Sequence, residues 1–82
     1  TKELLDAGPE RCAKKLGEEA TETVIAALRP DAGALAREAA DLIYHLLVVL
    51  AARGIALAEV EAALAERTAQ SGLQEQASRP RG

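Results

Sequence analysis

The 82-residue chain is predicted to be all-α, and three observations carry that prediction. Its apolar residues are almost all Ala, Leu, Val and Ile, with Tyr44 the only aromatic, a mixture that suits closely approaching helices better than a strand-rich core. Apolar positions recur at helical spacing over long stretches. Strong turn signals are few: Gly8-Pro9, Arg29-Pro30-Asp31 and Gly54. A chain this short buries only a modest core, so the expected architecture is an antiparallel helical hairpin plus a third helix, completed into a helical bundle by a second copy.

Each element follows from local chemistry. Thr1 to Ala7 reads as the end of an earlier segment, because Leu4 and Leu5 have no periodic partner. Gly8-Pro9 then opens a helix, since proline lacks an N–H where none is needed and its φ is already helical. That first long helix is expected from Pro9 to Leu28, with Leu16, Ala20, Thr23, Val24 and Ala27 as its inward stripe and Lys15, Glu18, Glu19 and Glu22 outside it. Arg29-Pro30 stops it, because the residue before proline avoids the α region, and Asp31 can cap the next helix. The second long helix is expected from Ala32 to Arg53, ended by Gly54 in the left-handed conformation. From Leu42 onward it is apolar nearly all round, which demands cover that a second chain would supply. A third helix, Leu57 to Ala69, carries a narrower stripe of Leu57, Val60 and Leu64, with Glu59 and Glu66 turned away, and Ala56 gives it no side-chain cap. Residues 1–69 are thus the expected domain. The polar stretch 70–82 is expected to be an unstructured tail unless a partner orders it.

Composition excludes several classes of function. The net charge is −3 and the ten basic residues are scattered, so the basic patch of a nucleic-acid binder is missing. One cysteine, Cys12, makes no internal disulfide, and one histidine, His45, completes no Cys/His zinc site, which fits a reducing cytoplasm. Cys12 reads as a small packing residue. There is no signal-peptide pattern, and the most apolar run, Leu42 to Ala52, is too short to cross a bilayer and contains His45.

The residues that carry chemistry are acids. Glu18, Glu19 and Glu22 crowd one helix, although like charges one turn apart repel by a few tenths of a kcal/mol per pair. Taken alone they fit a solvated face with Lys14 and Lys15 as partners. Glu38 and Asp41, however, share a face of the most apolar helix, with His45 on the same arc. Antiparallel packing through a short turn can bring up to five carboxylates around one space, which is repulsive unless a cation occupies it or protons are taken up. All-oxygen sites of this kind suit Mg²⁺ or Mn²⁺ and leave positions open for water and phosphate, the equipment for phosphoryl or nucleotidyl hydrolysis. Di-iron chemistry fails on ligand count, since it draws two Glu-x-x-His pairs and this chain has one histidine. His45 reads equally as an interior histidine and as a site residue.

"EEATE" followed after fifteen residues by "EAAD" resembles the EExxE…ExxD signature of the all-α nucleotide pyrophosphohydrolases, the MazG-like superfamily. Within it, "KKLGEEATETVIAAL", "EAADLIYHLLVVLAARGIALAEV" and "ERTAQSGLQEQASR" are similar to the phosphoribosyl-ATP pyrophosphohydrolases of histidine biosynthesis, and the similarity covers nearly the whole chain from Leu4. The resemblance implies that Glu19, Glu22, Glu38 and Asp41 hold Mg²⁺, with Glu18 as ligand or base. It implies hydrolysis of phosphoribosyl-ATP to phosphoribosyl-AMP and pyrophosphate, in a homodimer or larger assembly. Lys15, Arg11 and Lys14 are then expected phosphate contacts and His45 an expected substrate contact. In the family a further helix usually precedes the position of Thr1, and a capping serine is common at the position of Ala56. Two other readings stay open at this stage: a housekeeping hydrolase of nucleoside triphosphates, and a non-catalytic helical dimerisation module whose acids are solvated.

Overall fold

The structure, a computed structural model, describes residues 1–78, which form four helices: α1 (Lys2–Ala7), α2 (Pro9–Ala27), α3 (Ala32–Ala52) and α4 (Leu57–Ser78). The all-α prediction holds, with no strand among the described residues. Leu4 and Leu5, which have no periodic partner in the sequence, lie on the short helix α1. Cys12 donates its thiol proton to the Leu4 carbonyl at 3.1 Å, and the hydroxyls of Thr1 and Tyr44 are hydrogen-bonded, so α1 is docked on both α2 and α3.

Gly8 serves two helices at once. Its φ of +95°, which side-chain-bearing residues rarely adopt, ends α1 and turns the chain so that Pro9 starts α2. At the other end of α2, Leu28 and Arg29 close the last turn with backbone bonds to Ile25 and Ala26, both 3.2 Å, and Pro30 forbids continuation. The Asp31 carboxylate then accepts from the Ala34 N–H at 3.1 Å, the expected N-cap of α3. The end of α3 is a Schellman motif: Ile55 N–H bonds the Leu50 carbonyl at 2.9 Å, Gly54 N–H bonds that of Ala51 at 3.1 Å, and Gly54 has φ +68°.

α4 departs from expectation twice. Ala56 has no capping oxygen, but the Glu59 carboxylate reaches back to the Ala56 N–H at 2.9 Å, supplying half of a capping box. The helix also passes Ala69 and runs to Ser78 across residues expected to be an unstructured tail; Gln, Glu and Ala there are all good helix formers. Residues 79–82, the remainder of that expected tail, lie outside the described residues.

The packed seam lies between α2 and α3, which run antiparallel across the short link. On α2 it follows Cys12, Leu16, Glu19, Thr23 and Ala26, a four-then-three spacing, rather than the expected stripe through Val24 and Ala27. Val24 is 61% exposed and Leu28 84%. The reason is that α2 has two apolar faces, and the chain's own partner helix takes the one that contains Glu19. On α3, His45 and Val48 are buried, with Glu38 and Leu42 half-buried. Ile43 and Leu47 remain exposed, in line with the all-round apolarity of this helix. α4 stands largely clear of the hairpin, and the radius of gyration is 17.0 Å, against about 12 Å for a compact chain of this length.

Replacing the Asp31 cap by alanine is expected to lower stability by about 1 kcal/mol, read as a shift of the denaturation midpoint with helical content retained in the native baseline.

Candidate metal and phosphate site

The α2–α3 seam carries polar groups at its middle. Glu19 is 7% exposed and His45 9%, a carboxylate and an imidazole within a core whose only buried apolar residues, among those described, are Cys12, Ala26 and Val48. The Thr23 hydroxyl stands 2.8 Å from the Glu19 carbonyl on its own helix and 3.2 Å from the Glu38 carbonyl across the seam. Its single proton is shared between them. That contact sets the register in which the acids of α2 meet those of α3.

In this register one carboxylate oxygen from each of Glu19, Glu38 and Asp41 falls within 4.8 Å of the others. Glu22, though exposed, is near enough for its carboxylate to raise the carboxyls of both Glu19 and Glu38. Three of the five predicted acids therefore share one space, with Glu22 beside it. The fifth, Glu18, points elsewhere: its side chain is 53% exposed and faces Lys15 at 3.8 Å. Consecutive helical residues differ by about 100° in direction, so Glu18 and Glu19 cannot both enter the seam.

The convergence is electrostatically costly. Burial is the main cause that pushes the Glu19 carboxyl above its ordinary value of 4.5; the Glu22 hydrogen bond and the charges of Glu22 and Asp41 add to it, while His45 pulls the other way. Glu38 is raised as well, again chiefly by burial, then by Glu22 and Asp41, against a small pull from Arg37. Neighbouring basic groups do not satisfy the set, since Lys15 Nζ and His45 Nε2 each approach Glu19 only to 4.0 Å. One oxygen of Glu19 and one of Glu38 are buried without any hydrogen-bond partner. Buried carboxylate oxygens left open, in an all-oxygen set drawn from two rigid helices, fit a hard divalent cation.

His45 lies behind Glu19, with the ring of Tyr44 edge-on to it at 5.0 Å and its Nδ1 buried and unpartnered. On the other side of the acids, Leu4, Arg11, Lys14, Lys15 and Glu18 line a groove of about 280 Å³. The three predicted phosphate-contacting cations thus share one surface next to the acids. A second groove of about 250 Å³, between Ile25, Ala26, Arg29 and Ala34, has Glu22 and Glu38 as its near wall.

Sequence reasoning missed the inter-helix role of Thr23, which it treated as stripe filler, although a Thr four residues after Glu19 is placed to bond back to that turn. It also gave Leu4 no place at the groove and read Arg29 only as a helix stop.

Fold and site define a class: an all-α hairpin whose seam holds a divalent-cation type of carboxylate set beside a cationic groove, the arrangement of an all-α nucleotide pyrophosphohydrolase. The profile of the phosphoribosyl-ATP pyrophosphohydrolase family matches residues 1–68, and the chain belongs to that family. It is 63% identical over 81 residues to phosphoribosyl-ATP pyrophosphatase 1 of Rhodopseudomonas palustris, covering 99% of this chain and 76% of the relative. Over 79 residues it is 65% identical to phosphoribosyl-ATP pyrophosphatase 1 of Bradyrhizobium diazoefficiens, covering 96% and 74%. A phosphoribosyl-ATP pyrophosphatase of Ruegeria sp. is 55% identical over 82 residues, covering the whole chain and 78% of the relative. No solved structure matches the chain.

Raised carboxyl values carry a stability consequence. Glu19 and Glu38 bind more protons in the folded chain than in the unfolded one, so the stability they allow is full below pH 4.5 and is lost as the pH rises through their elevated values. The melting temperature of the metal-free chain is expected to fall from pH 4.5 toward neutrality, and Glu19→Gln, which has no charge to bury, to flatten that decline.

Proposed function

We propose that this chain hydrolyses the α–β phosphoanhydride of phosphoribosyl-ATP, giving phosphoribosyl-AMP and pyrophosphate, with Mg²⁺ held by Glu19, Glu22, Glu38 and Asp41. The observation that carries the reading is the pair of unpartnered carboxylate oxygens buried on facing helices, in a chain of this family. Mn²⁺ suits the same oxygens. When bound, such an ion neutralises polyphosphate charge and lowers the pKa of water.

The protein's own groups do the rest. Lys15 stands at the border between acids and groove, where it can turn from Glu18 and Glu19 to a phosphate oxygen. Arg11 and Lys14, on the same groove, meet the outgoing pyrophosphate. Glu18, outside the seam and in reach of solvent, is the carboxylate available as base, accepting the proton of the attacking water as the new P–O bond forms and the bridging P–O bond breaks. His45, packed against Glu19 inside the seam, bears on the substrate through that carboxylate rather than by open contact.

The exposed apolar residues Val24, Ile25 and Leu28 on α2, with Ile43 and Leu47 on α3, support a homodimer in which a second copy covers them. No described helix is long and apolar enough to cross a membrane. The phosphorylated substrate and the free Cys12 thiol support a place in the cytoplasm.

Glu22→Gln is expected to abolish pyrophosphate release from phosphoribosyl-ATP while circular dichroism stays helical; full turnover in that variant would remove Glu22 from the site. Mg²⁺ or Mn²⁺ is expected to raise the melting temperature of the wild-type chain with increasing concentration and to leave that of Glu19→Gln nearly unmoved, as binding to the native state alone requires. Sedimentation at equilibrium is expected to give twice the chain mass, and Leu28→Glu to shift the balance toward the monomer.

A further inference from the structure

The two grooves flank the acids along one line. Toward the start of α2 lie Arg11, Lys14 and Lys15; at its middle are Glu19 and Glu22; toward its end is the second groove, with Ile25, Ala26 and Arg29 facing Ala34 of α3. From Lys15 to Ala27 the helical rise spans about 18 Å, with Arg29 in the turn just beyond, room for an extended nucleotide lying along the helix.

The second groove differs in character from the first. Its lining is mainly the aliphatic surface of Ile25, Ala26 and Ala34, it shares Glu22 and Glu38 with the acid cluster, and its far end is cationic. Arg29 is held there by its backbone bond to the Ala26 carbonyl at 3.2 Å and by Pro30 behind it. No described carboxylate pairs with its guanidinium within 4.0 Å. An aliphatic slot leading from the acids to an uncommitted arginine suits a flat, uncharged ring system that bears an anion at its far side.

The proposed substrate has that form. A triphosphate occupies one end, the purine lies between, and a ribose monophosphate is attached beyond the purine, a second anion that ordinary nucleoside triphosphates lack. We propose that Arg29 is a specificity residue: it binds this distal monophosphate while the purine lies in the Ile25–Ala34 groove and the triphosphate runs back over the acids toward Arg11 and Lys14. The inference rests on the activity proposed above and fixes the polarity of the substrate along α2. It places the bond to be cleaved over Glu19 and Glu22, because the triphosphate must pass them to reach the cationic groove. Arginine's planar fork, which takes two phosphate oxygens at once, suits the role better than a lysine would.

The test is isothermal titration of the full chain, in Mg²⁺, with three probes: phosphoribosyl-AMP, AMP and pyrophosphate. Arg29→Gln is expected to weaken phosphoribosyl-AMP about ten- to a hundredfold, the loss of a hydrogen bond between charged groups, and to leave AMP and pyrophosphate unchanged. Lys14→Gln is expected to weaken pyrophosphate and leave phosphoribosyl-AMP unchanged. The kcat/KM for phosphoribosyl-ATP should fall in Arg29→Gln by the same factor as phosphoribosyl-AMP affinity. If Arg29→Gln does not fold, Arg29→Lys must still weaken phosphoribosyl-AMP and spare AMP. Equal effects of the Arg29 variant on phosphoribosyl-AMP and AMP, or no effect on either, would overturn the inference even in an enzyme that turns over normally. A wild-type chain that binds the probes in this pattern but leaves phosphoribosyl-ATP intact would defeat the proposed activity and uphold the polarity.

Discussion

Glu19 is the residue on which the rest of the structure turns. A carboxylate almost fully withdrawn from water, with one oxygen unpartnered, is among the most expensive groups a small core can hold. The chain tolerates it because proton uptake relieves the charge when no cation does, and because His45 and Lys15 stand near enough to soften it without cancelling it. A closer lysine would satisfy Glu19 and close the site to anything else. The spacing leaves the carboxylate attracted to cations but committed to none.

The same demand explains why so little of the core is apolar. The α2–α3 seam spends its central layer on Glu19, Thr23, Glu38 and His45, positions that in a structural hairpin would be leucine or valine. Oily residues are instead displaced to the outside, where Val24, Leu28, Ile43 and Leu47 form a surface suited to association rather than to water. Function in the seam and apolarity on the surface are two sides of one allocation.

Much of this was legible in the sequence, and the reasons are local. Gly8-Pro9, Asp31 and Gly54 are punctuation whose meaning depends on their own backbone chemistry, so α2 and α3 begin where expected and end within one residue of it. The meeting of Glu19, Glu38 and Asp41 followed from helical periodicity and one short turn. What periodicity did not reveal was which of two apolar faces of α2 would meet α3, because Leu16, Val24 and Ala27 look as good on paper as Cys12, Leu16 and Ala26. The choice is tertiary: the face that wins is the one that lets Thr23 reach the Glu38 carbonyl. Glu18 was grouped with the other acids for the same reason, since a cluster in sequence does not say which neighbour turns inward. The reach of α4 past Ala69 was hidden by composition, because polar residues with good helical propensity look the same in a tail and in a solvated helix.

The link Arg29-Pro30-Asp31 has a consequence for how the molecule is made. Because it is so short, every converging acid lies between Glu19 and Asp41, and the contacts that assemble them are close neighbours along the chain. Topologies of that kind close quickly, before distant segments must find one another. On a ribosome, the three clustered acids are all present as soon as the segment through Asp41 has emerged. The acid cluster can therefore take shape early in synthesis, ahead of α4.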